Sequence, residues 1–327
     1  VEIGEECDGD ARVCNNTACL FKPEAICTDF KVNSTEDLAA LESCAVIIDS
    51  DGSLGPGAPE VVSLPLLQAF YGDIEATLTE TAYLFKTISF PNAWKTPDLQ
   101  IGASTSGSNF VPFALEVVDL PCAREASRIR VRLAPQLKQL NLPLVQYSDR
   151  IQLRDSTDAS NPLDIILPNA FMVQATTVEN CPGIQRILYP SAIATRSTDL
   201  KGNANLEVVS YPLMSKMITD NPTLENNPSL RQVDRASQLF FDAPIVVSGN
   251  SPEGITLLVC SLNAIQANQI EAEGQCSPSS DPPCFLVGAG EKECSKGGDK
   301  GKEGASLKPG DLLLDPEAFD FSGLFKG

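Results

Sequence analysis

The sequence predicts a mainly β fold: a parallel β-solenoid closed at its ends by disulfide-bonded caps and short helices. Two observations carry this prediction. A short β-rich run that ends in a hydrophobic residue and then proline recurs seven times between residues 61 and 212, and cysteines cluster near both ends. Hydrophobic residues make up 43% of the 327 positions, which is enough for a sizeable core.

The recurring proline predicts a short strand that ends next to it. Proline has no N–H to donate to a strand ladder, so it stands where pairing stops, and it favours an extended residue before it. Residues 231–235 repeat the run without the proline. The seven prolines, spaced by 22 to 30 residues, are Pro65, Pro91, Pro121, Pro143, Pro168, Pro190 and Pro212.

A second β-like run lies between many of the prolines, as at 98–101, 128–133, 150–153 and 243–247. Two strands per repeat predict about eight stacked coils, with ladders spaced at ~4.8 Å. An antiparallel β-sandwich also fits strands every ~8–12 residues, but the near-identical copies favour stacking. Corners that tolerate positive φ are expected at Asn203, Asn205, Asn221, Asn226, Asn227, Gly249 and Asn250.

The terminal cysteines predict disulfide frameworks in an oxidising compartment. Their pairing stays open, and the odd total of 11 leaves at least one thiol unpaired or bonded to another chain, with Cys122 and Cys181 standing apart from the clusters. The cysteines predicted to form disulfides are Cys7, Cys14, Cys19, Cys27, Cys44, Cys260, Cys276, Cys284 and Cys294.

The same compartment is expected from two N-glycosylation sequons, at Asn15 and Asn33, which predict N-linked glycan. The first residues lack the basic and apolar regions of a signal peptide and resemble a mature terminus. Without a run of 18 apolar residues, no membrane span is expected. The predicted location is therefore secreted: extracellular, at the cell surface or in the matrix.

The charge and the composition argue against several classes of function. A net charge of −19 repels phosphate backbones, so no nucleic-acid partner is expected. The absence of histidine removes Ser-His-Asp, Cys-His and HExxH chemistry. Asp49, Asp51 and Glu60 have the spacing of a calcium loop, but Leu54 replaces its glycine, which favours a polar turn. The sequence predicts no enzyme, no cofactor and no metal site.

Two stretches resemble known extracellular repeats. Residues 221–233, with Asn226-Asn227-Pro228-Ser229-Leu230, resemble receptor L domains and their fungal cell-wall relatives. Residues 167–187 resemble BspA-type leucine-rich repeats. Both resemblances imply a leucine-rich-repeat-like or β-helical parallel solenoid over about residues 45–260. The first 27 residues resemble part of a disintegrin module, which implies a disulfide-bonded extracellular knot.

The predicted organisation has four parts. Residues 1–44 form a Cys-rich N-terminal cap with a helix starting at Ser34, 45–260 the repeat solenoid, 261–294 a Cys-rich C-terminal cap with a helix over 262–273, and 295–327 a linker and docking tail. The apolar residues of that tail are expected to pack on their own solenoid or on a neighbouring copy: Leu312, Leu314, Phe319, Phe321 and Phe325.

One basic stripe stands out in this acidic chain. Arg128, Arg130 and Arg132 alternate along a predicted strand and so share one face, which is either a solvated surface or a dock for an acidic partner such as another subunit.

The function expected from all of this is structural: a repeating subunit of a surface fibre, wall or coat, which binds copies of itself or other extracellular proteins. The alternatives are a ligand-binding or adhesion module of receptor L-domain type and an aspartate-using, pectinase-like solenoid, the least favoured.

Overall fold

The computed structural model describes most of the repeat region and isolated segments on either side of it. All described residues lie within one unit, Val1–Glu293. The described residues are 14–15, 20–21, 23–77, 82–103, 111–213, 216–217, 223–235, 240–241, 245–250, 255–259, 270–272, 276–277 and 284–287.

The architecture is a parallel β-solenoid of about eight turns, which confirms the predicted fold class. Each strand pairs with the equivalent strand one coil later; Val118, for example, is in register with Ile88 on one side and Leu140 on the other. The β-sandwich alternative is wrong, because these pairs are parallel. Within the described residues, antiparallel pairing is confined to Cys14–Asn15 with Leu20–Phe21 and to the strands Ile255–Val259, Cys276–Ser277 and Cys284–Val287.

One sheet, called here the long-strand sheet, runs along the whole stack. Its members in chain order are Ile26–Cys27, Lys31–Val32, Val46–Leu54, Ala69–Thr77, Lys95–Thr96, Asp98–Ala103, Glu125–Arg132, Tyr147–Arg154, Met172–Glu179, Ala194–Lys201, Lys216–Met217, Thr223–Glu225, Phe240–Phe241, Ile245–Ser248 and Ile270–Ala272.

The central long strands bend in the middle. In Tyr147–Arg154 the core-facing residues are Ser148, Ile151 and Leu153, so the inward alternation shifts by one residue at Asp149. The parallel pairing skips Asp149 at the same point. Each long strand therefore covers two successive sides of its coil.

The proline-terminated strands close the coil on the remaining side, and they form two sheets. The first contains Val61–Ser63, Thr87–Ser89, Val117–Asp119 and Gln139–Asn141. The parallel part of the second contains Leu163–Ile166, Ile184–Leu188, Val208–Tyr211, Gln232–Arg235 and Ile255–Val259. We call the strands of both sheets the proline strands, although the last two are not followed by proline.

At the seam between these two sheets, the direction of a backbone hydrogen bond changes. In the first sheet, the N–H of Lys138 donates to the carbonyl of Glu116 in the preceding coil, at 2.9 Å. The equivalent N–H of Leu163 donates forwards instead, to the carbonyl of Gly183 at 2.9 Å. The backward bond from this position is therefore missing at this coil, where one sheet ends and the other begins.

Stacked apolar side chains fill the interior. The predicted pairing of inward positions within a strand, such as Val62 with Leu64 and Ile88 with Phe90, is confirmed, since all four are at most 1% exposed. Burying each such side chain contributes about 1.5–3 kcal/mol before the entropy of ordering is counted. The central column of the proline strands contains Val62, Ile88, Val118, Leu140, Ile165, Ile187, Val209 and Val233.

At the N-terminal end the predicted helix is confirmed as Thr35–Ala40. The hydroxyl of Ser34 accepts a hydrogen bond from the backbone N–H of Asp37 at 3.1 Å, which is the usual N-cap arrangement. A disulfide joins Cys27 to Cys44, whose Cα atoms are 5.8 Å apart. The disulfide lies in the segment that leads into the first full coils.

The parallel ladder extends past residues 45–260 at both ends. Ile26–Cys27 pairs with residues 46–47, and Ile270–Ala272 pairs with residues 245–247. The predicted helix over 262–273 is therefore wrong at residues 270–272, because their extended backbone adds one more strand to the long-strand sheet; residues 262–269 and 273 lie outside the described residues. Among the described residues, no helix has the length and apolar character needed to cross a bilayer.

Candidate interaction surface

The coils turn at a repeated backbone corner. One residue per coil there has φ between 51° and 67°, and the next residue turns inward. Most of these residues are not glycine, so the corner carries local strain that the stack must offset. The corner residues are Leu133, Asp155, Asn180, Gly202, Asn226 and Gly249.

Buried asparagines link the later corners. Asn203 accepts a hydrogen bond from the N–H of Cys181 at 3.0 Å and donates one to the carbonyl of Val178 at 2.9 Å. Asn227 makes the same two bonds one coil later, to the N–H of Asn203 and the carbonyl of Leu200. Asn250 continues the row. We call Asn203, Asn227 and Asn250 the asparagine ladder.

Only some of the predicted corners adopt positive φ. Asn226 and Gly249 do so, which confirms the prediction for them. The three residues of the asparagine ladder instead connect successive coils through their side chains. Asn205 lies in a turn, and Asn221 lies outside the described residues.

Cys181 stands at the start of the asparagine ladder. Its side chain is fully buried, and burial raises the pKa of its thiol to about 11. Cys122 is unpaired as well but partly exposed. The two cysteines that the sequence sets apart from the terminal clusters are therefore both free thiols.

The basic stripe lies on the outer face of the long-strand sheet. Arg128, Arg130 and Arg132 alternate with the fully buried Ile129 and Val131. The next strand adds two more arginines in register, because Arg150 pairs with Arg128 and Arg154 with Arg132. These two were not predicted, although they recur 22 residues after the first and last arginines of the stripe. We call the five residues Arg128, Arg130, Arg132, Arg150 and Arg154 the arginine patch.

Acceptors are unevenly distributed over the arginine patch. Arg154 forms an ion pair of 2.5 Å with Glu179, and Arg130 donates to the side-chain oxygens of Gln152 at 2.9 Å and Gln100 at 3.1 Å. Arg128 has only long contacts, 3.7 Å to Asp98 and 3.9 Å to Asp149.

The remaining guanidinium groups lack partners among the residues that the structure describes. Within the described part of the chain, Arg132 and Arg150 form no hydrogen bond or ion pair, and the buried Nε atoms of Arg128, Arg132, Arg150 and Arg154 have no acceptor. Like charges in register on neighbouring strands destabilise a sheet. Burial and the four surrounding arginines lower the pKa of Arg130. The patch holds more positive charge than the described residues neutralise there.

Acidic residues precede the arginine patch on the same face. The pairing of the strands places Asp73 beside Asp98, and Asp98 beside the position of Arg128. One column across four successive long strands thus has the order Asp73, Asp98, Arg128, Arg150, which we call the charge column. Burial raises the pKa of Asp98, partly offset by Arg128.

A second charge pattern follows the proline strands. Near the start of each strand stands one charged residue, one position later in the repeat at Asp164 and Arg186 than in the other coils, and its sign alternates through eight coils. Glu60 pairs with Lys86 at 2.8 Å and Glu207 with Arg231 at 2.6 Å, while Lys138 pairs with Glu116 and Arg186 with Asp164. The charge ladder consists of Glu60, Lys86, Glu116, Lys138, Asp164, Arg186, Glu207 and Arg231.

The other predicted site residues are only partly within the described structure. Asn33 is exposed, as glycosylation requires, and Asn15 and Cys14 lie in the strand Cys14–Asn15. Cys276 and Cys284 lie in strands. The predicted residues outside the described part are Cys7, Cys19, Cys260, Cys294, Leu312, Leu314, Phe319, Phe321 and Phe325.

The carboxylates of the calcium-like segment have local uses. Asp49 accepts from the N–H of Phe30 at 2.6 Å and from the N–H of Asp51 at 3.0 Å. Glu60 belongs to the charge ladder. Within the described ranges, no group of three or more cysteine, aspartate or glutamate side chains is arranged to hold a metal ion.

Comparison of the chain with protein-family models, with curated proteins and with solved structures finds no match.

Proposed function

We propose that the protein is a non-enzymatic structural protein of the extracellular space, a repeating subunit of a surface fibre, wall or coat. The observation that carries this proposal is the continuous parallel ladder of about eight coils. A stack in which each coil contacts mainly its neighbours forms an elongated, regular body that presents long faces to other molecules.

The use of the polar side chains supports a structural role. On the proline strands the charged residues pair with residues of the adjacent coil, as Lys86 does with Glu60. At the corners Asn203 and Asn227 satisfy backbone groups of the adjacent coils. These side chains stabilise the stack and its register, which supports a structural role. The disulfide Cys27–Cys44 supports an oxidising, extracellular location.

Electron microscopy of the native protein tests this proposal. We expect filaments, sheets or defined oligomers at physiological ionic strength. Deletion of residues 295–327 tests the predicted docking tail, since a tail that links copies is needed for full assembly size. Monodisperse single particles of the full chain at all concentrations would contradict the structural role.

A second candidate is a recognition module that binds an acidic ligand, as the resemblance to receptor L domains implies. The observation that favours it is the surplus of positive charge in the arginine patch, where Arg132 and Arg150 have no partner in the described chain. A protein that remains monomeric but binds an acidic polymer, with affinity lost in Arg132→Ala and Arg150→Ala, would establish this alternative.

A further inference from the structure

The charge column is acidic in one half and basic in the other. Along four successive strands its signs are negative, negative, positive and positive, with the change between the strands Asp98–Ala103 and Glu125–Arg132. Neighbouring strands of the sheet are ~4.8 Å apart, so Asp73 and Arg150 of one chain are about 14 Å apart and too distant to pair directly. Asp73 and Arg150, at the outer ends of the column, therefore have no oppositely charged neighbour within it.

A twofold rotation supplies the missing partners. Rotation by 180° about an axis parallel to the strands, midway between Asp98–Ala103 and Glu125–Arg132, reverses the order of the coils and preserves position along each strand. It places Asp98 opposite Arg128 of the second copy and Asp73 opposite Arg150 of the second copy. Each contact then occurs twice, as in any isologous interface.

We propose that two copies of this chain associate face to face through the charge column, with the acidic half of each meeting the basic half of the other. The inference rests on the proposed role as a self-associating subunit and names the surface involved. The structure favours a second copy as the occupant because the same face carries both the acidic and the basic residues that the contact needs. It would also supply carboxylates to the guanidinium of Arg150, which has none in the described chain.

Charge reversal at the two ends of the column tests the inference on the full chain. Arg150→Glu alone and Asp73→Arg alone each create like-charge contacts across the twofold interface. Sedimentation velocity at ~0.05 M salt should then show a dissociation constant for the pair that is raised more than tenfold. Arg124→Glu and Glu42→Arg are the matched controls, because both residues are exposed and lie outside the column. These controls should associate like the unmodified chain.

Restoring complementarity gives the decisive comparison. In an equimolar mixture of Arg150→Glu and Asp73→Arg chains, the two substituted positions face each other with opposite charges, and the second contact remains Asp73 with Arg150. We expect this mixture to associate although neither variant does so alone. The double variant Asp73→Arg with Arg150→Glu should also recover association, which excludes misfolding as the cause of the single losses.

The outcomes separate this inference from the proposed function. If the full chain assembles but neither single reversal changes its mass, the face-to-face contact is refuted while the structural role stands. If Arg150→Glu weakens assembly and Asp73→Arg does not, the arginine patch contacts something other than this acidic column, and the inference is refuted as well. A full chain that stays monomeric under all conditions overturns both.

Discussion

The side-chain Nδ2 of Asn203 donates to the Oδ1 of Asn227 at 3.0 Å, between two successive coils and with both residues 0% exposed. A buried amide is costly unless both its donor and its acceptor are satisfied. Here each amide also bonds backbone groups of the adjacent coils. The asparagine ladder therefore connects successive coils through buried polar groups.

Replacing Asn203 with alanine should destabilise the protein by about 2–4 kcal/mol, because the N–H of Cys181 and the carbonyl of Val178 lose their buried partner. Asn169→Ala is the matched control. Asn169 is exposed and makes one bond, to the carbonyl of Pro143 at 2.7 Å, so its loss should be about 0.5–1 kcal/mol. Urea denaturation followed by circular dichroism measures both. Equal effects would contradict the role given to the buried ladder.

Gly202 has φ of 67°, and a Cβ there would lie 2.6 Å from Oδ1 of Asn180. Gly202→Ala should therefore cost about 1–2 kcal/mol of stability, since a left-handed backbone is strained for alanine. Asn180 and Asn226 hold this corner in adjacent coils, so Gly202→Asn should cost less than Gly202→Ala. Thermal melting compares the two. A larger loss for asparagine would show that crowding against Asn180, and not backbone strain, controls the site.

Glu116 should make folding stability sensitive to acid. Its hydrogen bond to Lys138 lowers its pKa below the ordinary value of 4.5. A depressed pKa in the folded state contributes stability that is present above the unfolded value and is lost as the pH falls through the folded value. Glu116→Gln should therefore show a shallower loss of stability than the unmodified protein below about pH 4.5.

The same measurement on Lys138→Met checks the cause. Removing the lysine removes the interaction that lowers the pKa of Glu116, so this variant should also lose part of the acid sensitivity. Urea midpoints at several pH values across the acid range provide the comparison. An unchanged acid slope in both variants would exclude this pair as a contributor.

The two free thiols should differ in reactivity. Because burial raises the pKa of Cys181 to about 11, almost no thiolate is present near neutral pH, and the side chain is out of reach. Cys122 is partly exposed. Alkylation of the native protein by iodoacetamide, followed by peptide mass spectrometry, should modify Cys122 first and Cys181 only after denaturation. Rapid native labelling of Cys181 would indicate local opening of its corner.

The fold was largely predictable because its repeat is local in sequence. Proline marks the end of the strand in Leu64-Pro65 and Phe90-Pro91, and an apolar residue two positions before Leu64 or Phe90 faces the same core. The strand Met172–Glu179 was not predicted, since its threonines give no charged alternation. The strand Ile270–Ala272 was predicted as part of a helix because three residues cannot distinguish the two periods.

The surface was less predictable because it depends on register between distant segments. The arginine stripe was visible within one strand, but its continuation through Arg150 and Arg154 emerges only when that strand is aligned with the next. The charge ladder was also present in the sequence as a sign that changes at each repeat. Recognising it required knowing which residues of successive coils are neighbours.

Because the sign of the charge ladder alternates from coil to coil, coils can be gained or lost without creating like-charge contacts only in even numbers. Excision of a single coil, for example one ending at Lys86, would place Glu60 next to Glu116, whereas excision of two adjacent coils would again bring opposite signs together. Duplication of a single coil likewise places like charges next to each other, whereas duplication of two adjacent coils does not. Lineages of this protein should therefore lengthen or shorten in even steps, and a variant with an odd number of coils should carry compensating changes of sign along that edge.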